Sequence, residues 1–326
     1  MKIGITGCNG FVGRALSLGA LARGHAVIGI VSREGTCEPG IAEWVSKSRD
    51  FVSLLNEAPG HAPLDCVIHL ASRVHQMGEG HNKDTILPLY RETNVKGSLR
   101  VAEAAHAAGA KRLVFVSSIK AMGEAEPGLP SHAWRETDAP LPVDPYGISK
   151  YEAEQTLRES CFQLGLELVI IRPPLVYGPG VRANFLQLMS LVARELPLPF
   201  ASVHAQRSMV FVDNLASAIL VAASHANAPG HAFLVSDGHD MSVAEITHLL
   251  AEGLGRKTRL FPVPPSLLAV LARVAGKQAQ ADRLLKPLRV NIDHIRNTLD
   301  WQPPIDVQIG LKRTAIWYRD SLASKA

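Results

Sequence analysis

Short apolar runs alternate with longer amphipathic stretches through the first half of the chain. The runs KIGIT, AVIGIV, CVIHLAS, RLVFVSS and LVIIRP are apolar at most positions, as expected of strands that are covered on both faces. Between them, apolar residues recur at helical spacing in the ranges 11–23, 94–108 and 146–164. Strands that alternate with helices predict βαβ crossovers and therefore a parallel sheet.

Beyond Pro173 the pattern loosens into proline-containing segments such as PPLVYGPG, LPLPF and VPVPPS. Helical spacing returns at about residues 184–195, 213–225, 242–254 and 307–322. A further apolar stretch, residues 266–275 (SLLAVLARVA), is about half the length that a membrane-spanning helix needs, and it contains Arg273. We therefore expect no stable membrane span. We interpret this stretch as a buried or capping helix, and a membrane-surface role stays open.

Composition narrows the class of protein. The chain has 326 residues, 47% of them hydrophobic, which is enough for a large core and for two lobes. Its net charge of +4 is spread without a long run of like charges, so we expect no nucleic-acid partner. Cys8, Cys37, Cys66 and Cys161 form no CxxC pair, which suits a reducing compartment. A strand that begins next to Met1 leaves no room for a signal peptide, and the predicted location is the cytoplasm.

The first strand leads directly into a glycine-rich turn, TGCNGFVG, at residues 6 to 13. Gly7, Gly10 and Gly13 have the spacing GxxGxxG and open a predicted helix. Glycines there let the backbone approach a pyrophosphate closely, and the first amides of the helix then face the anion. The turn predicts a dinucleotide site; the alternative is a glycine-rich turn without a ligand.

Candidate chemistry lies further along the chain. Tyr146 and Lys150 are four residues apart in a predicted helix, so both side chains leave the same face. An ammonium there can lower the pKa of a tyrosine and make it a general acid and base. Ser117 and Ser118 end the strand RLVFV, and the carboxyl edge of a parallel sheet is where ligands bind.

The motifs TGCNGFVG, HLAS, NVKG, VSSIKAMG, YGISK and RPPLVYGPG occur in an order that resembles the extended short-chain dehydrogenase/reductases, in the branch that acts on nucleotide sugars. The likeness covers nearly the whole chain, including LDWQPPIDVQIGL near its end. It implies a Rossmann-type, doubly wound parallel sheet of the α/β class with a smaller, mostly helical substrate-binding lobe. The dinucleotide-binding domain is then expected at 1–173, with returns to the sheet at about 207–236, and the lobe at 174–206 and 237–326.

The same resemblance implies the roles of individual residues. Ser118, Tyr146 and Lys150 would be the catalytic residues, and Ser118 is chosen over Ser117 because it lies five residues before Gly123. The expected cofactor-binding residues are Gly7, Asn9, Gly10, Phe11, Val12, Gly13, Arg33, Leu70, Ala71, Ser72, Asn94, Ser117, Tyr146, Lys150 and Pro173. The expected substrate-binding residues are Ser118, Lys120, Tyr146, Asn184 and Arg207. We expect no metal, because the thirteen histidines show no HExxH or similar spacing.

Departures from the family pattern narrow the reaction. Dehydratases of this family place an Asp-Glu pair after the catalytic serine or threonine, where this chain has Ile119 and Lys120. The favoured expectation is an oxidoreductase that reduces C4 of a UDP-4-keto-6-deoxy-N-acetylhexosamine in surface-polysaccharide biosynthesis. One alternative is a UDP-hexose (UDP-glucose or UDP-GlcNAc) 4-epimerase that holds NAD tightly. Another is a dinucleotide-binding regulator without catalytic activity.

The end of the second strand bears on the choice of cofactor. A carboxylate there would bind the ribose hydroxyls of NAD, whereas an arginine can pair with a 2′-phosphate. This chain has Arg33 and no acid before Glu34, so NADP(H) is favoured and NAD(H) stays open. The expected partners are a UDP-sugar and a second copy of the chain. The homodimer is expected through the helices at about 94–108 and 146–164, as in the enzymes that the chain resembles.

Overall fold

The computed structural model describes residues 1–48, 50–55, 63–74, 83–123, 132–276 and 278–323. The strands are β1 (Lys2–Thr6), β2 (Ala26–Val31), β3 (Ala42–Val45), β4 (Cys66–His69), β5 (Arg112–Val116), β6 (Glu167–Arg172), β7 (Leu175–Tyr177), β8 (Met209–Phe211) and β9 (Ala232–Leu234). The α-helices are α1 (Phe11–Ala22), α2 (Lys83–Tyr90), α3 (Gly97–Ala107), α4 (Pro145–Leu164), α5 (Ala183–Ala193), α6 (Val212–Ser224), α7 (Val243–Leu254), α8 (Pro265–Val274), α9 (Gln278–Leu285), α10 (Asp293–Leu299) and α11 (Val307–Ala323).

Within the described residues, seven strands form one parallel sheet in the order β3-β2-β1-β4-β5-β6-β9. The order reverses direction between β1 and β4, and the carboxyl ends of these two strands border the crevice where such sheets bind ligands. A second, two-stranded sheet pairs β7 with β8 in parallel. The arrangement confirms the predicted doubly wound α/β sheet.

Apolar side chains cover both faces of the large sheet. Buried residues of α1 and α6 pack with β1 and β6 on one face. Buried residues of α3 and α4 pack with β5 on the other. Strands that are enclosed in this way must be apolar on both sides, which explains the continuous apolar runs in the sequence. The sheet is therefore a rigid support for the loops at its carboxyl edge.

The smaller lobe has its own core. Side chains of α5, α7 and α11 pack around Tyr177, Met209 and Phe211 of the two-stranded sheet. The Tyr177 hydroxyl donates to Asp237 over 2.7 Å, and that carboxylate also accepts from the Phe211 amide over 2.9 Å and from Asn214 Nδ2 over 2.7 Å. This buried network joins the strand ends of the lobe to the first turn of α6.

Two expectations about helices differ from the structure. We predicted one helix at 94–108. In the structure α3 begins only at Gly97, and α2 and a π-helical segment, Arg91–Lys96, precede it. The widened turn of the π-helical segment contains Asn94. The side-chain amide of Asn94 forms hydrogen bonds with the backbone of Arg73. The apolar stretch that we interpreted as a buried or capping helix forms α8, and none of its residues is buried. Among the described residues, no helix combines the length and the apolar composition needed to cross a membrane.

Candidate active site

The glycine turn between β1 and α1 is as tight as the sequence predicts. Gly7 has a φ of +69°, which side chains disfavour. A Cβ atom on Gly13 would lie 2.1 Å from the Gly7 carbonyl oxygen and 2.7 Å from that of Cys8. The N-cap of α1 is Gly10, which has no side chain to occupy the first amides of the helix. The turn therefore forms a cradle that fits a dinucleotide pyrophosphate.

The other predicted cofactor residues near this turn differ in their surroundings. Asn9 is partly exposed in the turn. Phe11 and Val12 are partly buried and pack against the core of the smaller lobe. The Thr6 hydroxyl at the end of β1 accepts from the amides of Leu70 and Ala71, each over 3.1 Å. The loop after β4 is thereby fixed beside the glycine turn.

Ser117 supplies a second test of whether a cofactor fits. Its side chain is buried at the carboxyl end of β5, and its hydroxyl has no hydrogen-bond partner among the described residues. An unsatisfied buried hydroxyl is costly unless a ligand completes it. Two residues further on, the Ile119 amide donates to the Pro173 carbonyl over 2.9 Å, so Ser117 and Pro173, both predicted cofactor residues, lie at one edge of the sheet. These features fit a bound dinucleotide.

Tyr146 lies in the first turn of α4, and the local sequence determines its position. Asp144 caps the helix by accepting from the Gly147 amide over 2.7 Å, and Pro145 occupies the first helical position. A Cβ on Gly147 would lie 2.4 Å from the Lys120 carbonyl oxygen, so glycine permits the close contact between α4 and the turn after Ser118. This contact brings Tyr146 next to that turn.

The side chains of Ser72 and Ser118 lie near the phenol of Tyr146 and act on its pKa. Burial raises its pKa to about 12, the Asp144 charge adds to the rise, and the two serines oppose it. The ring of Tyr90 packs against it edge to face, with 6.2 Å between ring centroids. The structure thus brings together Tyr146 and Ser118, which the sequence paired, and adds Ser72 from the loop after β4.

Lys150 differs from the expectation. Its ammonium donates to the Val116 carbonyl over 2.9 Å and lies 4.5 Å from the centroid of the Phe115 ring. Burial lowers its pKa to about 7, and the charge of Glu154 opposes the fall. We expected Lys150 to lower the pKa of Tyr146, but in this structure burial raises that pKa. The reason is that burial penalises the charged phenolate, and the lysine ammonium donates to a backbone carbonyl of β5.

Asn94 is 1% exposed, and both its side-chain oxygen and its side-chain nitrogen form hydrogen bonds within the protein. Its oxygen accepts from the Arg73 amide over 2.7 Å. Its nitrogen donates to the Arg73 carbonyl over 3.1 Å and to Ser149 Oγ over 3.0 Å. Asn94 therefore links the loop that carries Ser72 to the helix that carries Tyr146.

Arg33 is exposed in the loop after β2, where the sequence places it. The same loop contains a feature that the sequence did not reveal. Glu43, from β3, accepts from the amides of Gly35, Thr36 and Cys37 over 2.6, 2.9 and 2.7 Å. These bonds lower the pKa of its carboxyl, with the Cys37 amide contributing most. A carboxylate thus binds backbone amides of the loop after β2, and its charge is opposite in sign to that of Arg33 on the same loop.

Three predicted substrate residues besides Ser118 and Tyr146 lie on three different parts of the chain. The Lys120 ammonium forms an ion pair with Asp144, the cap of α4. Asn184 is exposed in the first turn of α5. Arg207 donates to the Lys286 carbonyl over 2.6 Å. Asp144 was missed by the sequence analysis, although an aspartate before a proline at a helix start is a recognisable cap signal. In the described part of the chain, no three His, Cys, Asp or Glu side chains are grouped to hold a metal ion.

Comparison with known proteins gives consistent matches. The profile of the NAD dependent epimerase/dehydratase family matches residues 3–236. A UDP-glucose 4-epimerase of Vibrio cholerae is 42% identical over 250 residues, which are 76% of this chain and 75% of that protein. The crystal structure of a UDP-glucose 4-epimerase from Thermotoga maritima, with UDP-glucose, has a TM-score of 0.77 at 22% identity and covers 99% of this chain and 100% of that one. The Bordetella bronchiseptica enzyme WbmG, in complex with NAD and UDP, has a TM-score of 0.76 at 20% identity and covers 98% and 95%.

Proposed function

The chain belongs to the NAD-dependent epimerase/dehydratase family, and from this premise we propose that it is a UDP-hexose 4-epimerase that retains NAD. The membership confirms the resemblance seen in the sequence and the assignment as an enzyme. The observation that carries the proposal is the meeting of Tyr146 with Ser118 and Ser72 at the carboxyl edge of the sheet, beside the glycine turn. A hydroxyl group of a sugar that enters this site would meet a proton donor and acceptor flanked by two further hydroxyls.

The assigned proton chemistry uses residues of this chain. Tyr146 takes the proton from the sugar O4 and returns it after the sugar has rotated to present its opposite face. Ser118 hydrogen-bonds to the same oxygen. A bound dinucleotide would supply the hydride acceptor and donor for C4 of the sugar, so the net redox change would be zero. Lys150 is assigned to the ribose of the cofactor and to the phenolate, which requires its ammonium to leave the Val116 carbonyl. The Gly7 to Gly13 turn and Ser117 would hold the dinucleotide.

Glu43 supports NAD over NADP. Its carboxylate bonds three successive amides of the loop after β2, where an additional phosphate would otherwise find donors. A 2′-phosphate near this carboxylate would meet like charge. The sequence favoured a reductase that uses NADP(H). The Glu43 contacts and the 42% identical relative, a UDP-glucose 4-epimerase, support the epimerase with NAD instead.

The 4-ketoreductase that uses NADPH stays as the second candidate because Arg33 is exposed on the same loop. If Arg33 pairs with a 2′-phosphate, NADPH binds at least about tenfold more tightly than NADH, a difference of about 1.4 kcal/mol. Arg33→Ala would remove that preference. Titration of both cofactors into the two proteins measures it directly.

One experiment separates the candidates. The purified protein is denatured and the released nucleotide identified by chromatography, and the native protein is incubated with UDP-glucose without added cofactor. We expect stoichiometric NAD and formation of UDP-galactose detected by NMR. Empty protein that oxidises one NADPH per UDP-4-keto sugar would establish the reductase instead. Dinucleotide binding without turnover of either substrate would favour the regulator. The Tyr146→Phe variant controls for a contaminating epimerase.

A further inference from the structure

Helix α8 exposes an apolar stripe. Leu267, Val270, Leu271 and Val274 follow the i, i+3, i+4, i+7 spacing, and they are 48%, 58%, 56% and 83% exposed. A stripe with this spacing normally faces a protein core, but no residue of α8 is buried. A contiguous apolar patch on a surface marks an interaction site.

The chain around this stripe is strongly basic. Residues 256–289 contain eight lysines and arginines and one acidic residue, Asp282. This excess is larger than the net charge of +4 of the whole chain. Lys257, before the helix, and Arg273, in its last turn, are both exposed. Basic side chains next to an apolar helical stripe are the pattern of helices that lie in a bilayer interface.

Helix α9, against which α8 packs, lies near the candidate active site. The charge of Arg283 in α9 helps to lower the pKa of Asp144, which caps the helix of Tyr146. Immediately after α9, the Lys286 carbonyl accepts from Arg207. Helix α9 therefore lies at the rim of the site, and α8 packs beside it.

We propose that α8 docks the protein on the surface of a lipid bilayer that carries anionic headgroups. The four apolar side chains enter the boundary between headgroups and acyl chains, and Lys257 and Arg273 pair with headgroup phosphates. The rim of the active site then faces the bilayer. A second copy of the chain fits this surface poorly, because two surfaces with the same excess of positive charge repel each other.

Co-sedimentation with vesicles tests the proposal. The full-length protein is mixed with vesicles of phosphatidylcholine alone or with about one third phosphatidylglycerol. We expect about tenfold more bound protein on the anionic vesicles, decreasing as salt is raised. Leu271→Asp with Val274→Asp removes the apolar contact, and Lys257→Glu with Arg273→Glu removes the charge contact; both double variants should lose binding. Leu18→Asp is the matched control, because Leu18 is 52% exposed on α1, away from α8.

The other outcomes overturn the proposal. Wild-type protein that stays in the supernatant with anionic vesicles contradicts it, and so does a Leu271→Asp, Val274→Asp variant that binds as well as the wild type. An oligomer in vesicle-free solution that this variant dissociates, seen by light scattering, would assign α8 to a second copy instead. Thermal melting and cofactor titration of each variant exclude loss of binding through misfolding.

Discussion

At the scale of single residues, burial sets the protonation of the two central side chains. It raises the pKa of Tyr146 to about 12 and lowers that of Lys150 to about 7. The phenol therefore keeps its proton through the neutral range, while the lysine exchanges its proton near neutrality. A tyrosine in this state is suited to give a proton to an alkoxide, and it needs a nearby positive charge before it can take one.

Replacement of Tyr146 by phenylalanine removes only the transferable proton. We expect turnover to fall by about 10²–10⁴-fold, while the affinity for NAD changes by no more than a few fold. Product formation followed by NMR and cofactor titration by calorimetry measure the two quantities. Lys150→Met is the contrasting variant and should weaken both. Activity retained by Tyr146→Phe would show that the acid and base assignment is wrong.

We expect the buried His69 to make the free energy of unfolding depend on pH. Its side chain is fully buried, with Nδ1 2.7 Å from the Thr6 hydroxyl and Nε2 3.0 Å from that of Ser98. Burial, and then the Lys150 charge, lower its pKa from 6.5 to about 3. Between these values the unfolded chain binds a proton that the folded chain does not. The free energy of unfolding should therefore decrease as pH falls below 6.5, by up to about 1.4 kcal/mol per pH unit.

Urea denaturation between pH 5 and 7.5 measures this slope. The His69→Gln variant should show a flatter dependence, because the titrating group is gone. His106→Gln is the control, since His106 is exposed on α3, and its slope should equal that of the wild type. Equal slopes in the wild type and His69→Gln would contradict the assignment.

At the scale of elements, the start of α4 determines the site. Asp144 accepts from the Gly147 amide and pairs with Lys120, so one carboxylate both caps the helix and ties it to the turn after Ser118. Gly147 allows the backbones to meet. The position of Tyr146 relative to Ser118 therefore depends on two residues that take no part in the proposed chemistry.

Two substitutions of Asp144 separate the cap from the ion pair. Asp144→Ala removes both and should lower the free energy of unfolding by about 1 kcal/mol, because the Gly147 amide loses its acceptor. Asp144→Asn keeps an acceptor for that amide and loses only the partly exposed ion pair, so its cost should be smaller. Thermal melting and turnover compare the two. A larger loss in the asparagine variant would mean that the ion pair matters more than the cap.

At the scale of the whole molecule, the strand order places the glycine turn beside the loop after β4, and the smaller lobe adds α9 at the rim of the site, with α8 packed beside it. The outer surface of α4 bears on assembly. Phe162 is 87% exposed near the end of α4, on one of the two helices through which we propose a homodimer. Such an exposed aromatic ring is typical of a residue covered by a partner.

Phe162→Glu tests that dimer. A charge in place of the ring should weaken association at least about tenfold, because a buried carboxylate lacks a partner. Light scattering over a range of concentrations gives the mass, and Leu18→Asp is again the exposed control on a different helix. A wild-type monomer at micromolar concentration, or an unaffected dimer in Phe162→Glu, would count against the α3 and α4 interface.

The sequence by itself determined the local features of the protein. Continuous apolar runs specified the enclosed strands, and the GxxGxxG turn specified the phosphate cradle, because each depends on residues that are neighbours in the chain. The four-residue spacing placed Tyr146 and Lys150 on one helix, and the strand end placed Ser118 at the edge of the sheet. These predictions concern periodicity and turn chemistry, which act within a few residues.

Only the tertiary structure decided which distant groups meet. Glu43 reaches the loop after β2 across a strand pairing, the Lys150 ammonium faces the Val116 carbonyl, and Asn94 joins the loop after β4 to α4 from a π-helical turn. It also left α8 exposed, where its apolar pattern was compatible with a buried helix, a capping helix or a membrane-surface role. The physical reason is that hydrogen-bond partners, desolvation and exposure depend on how the elements pack, and local sequence patterns do not contain that information.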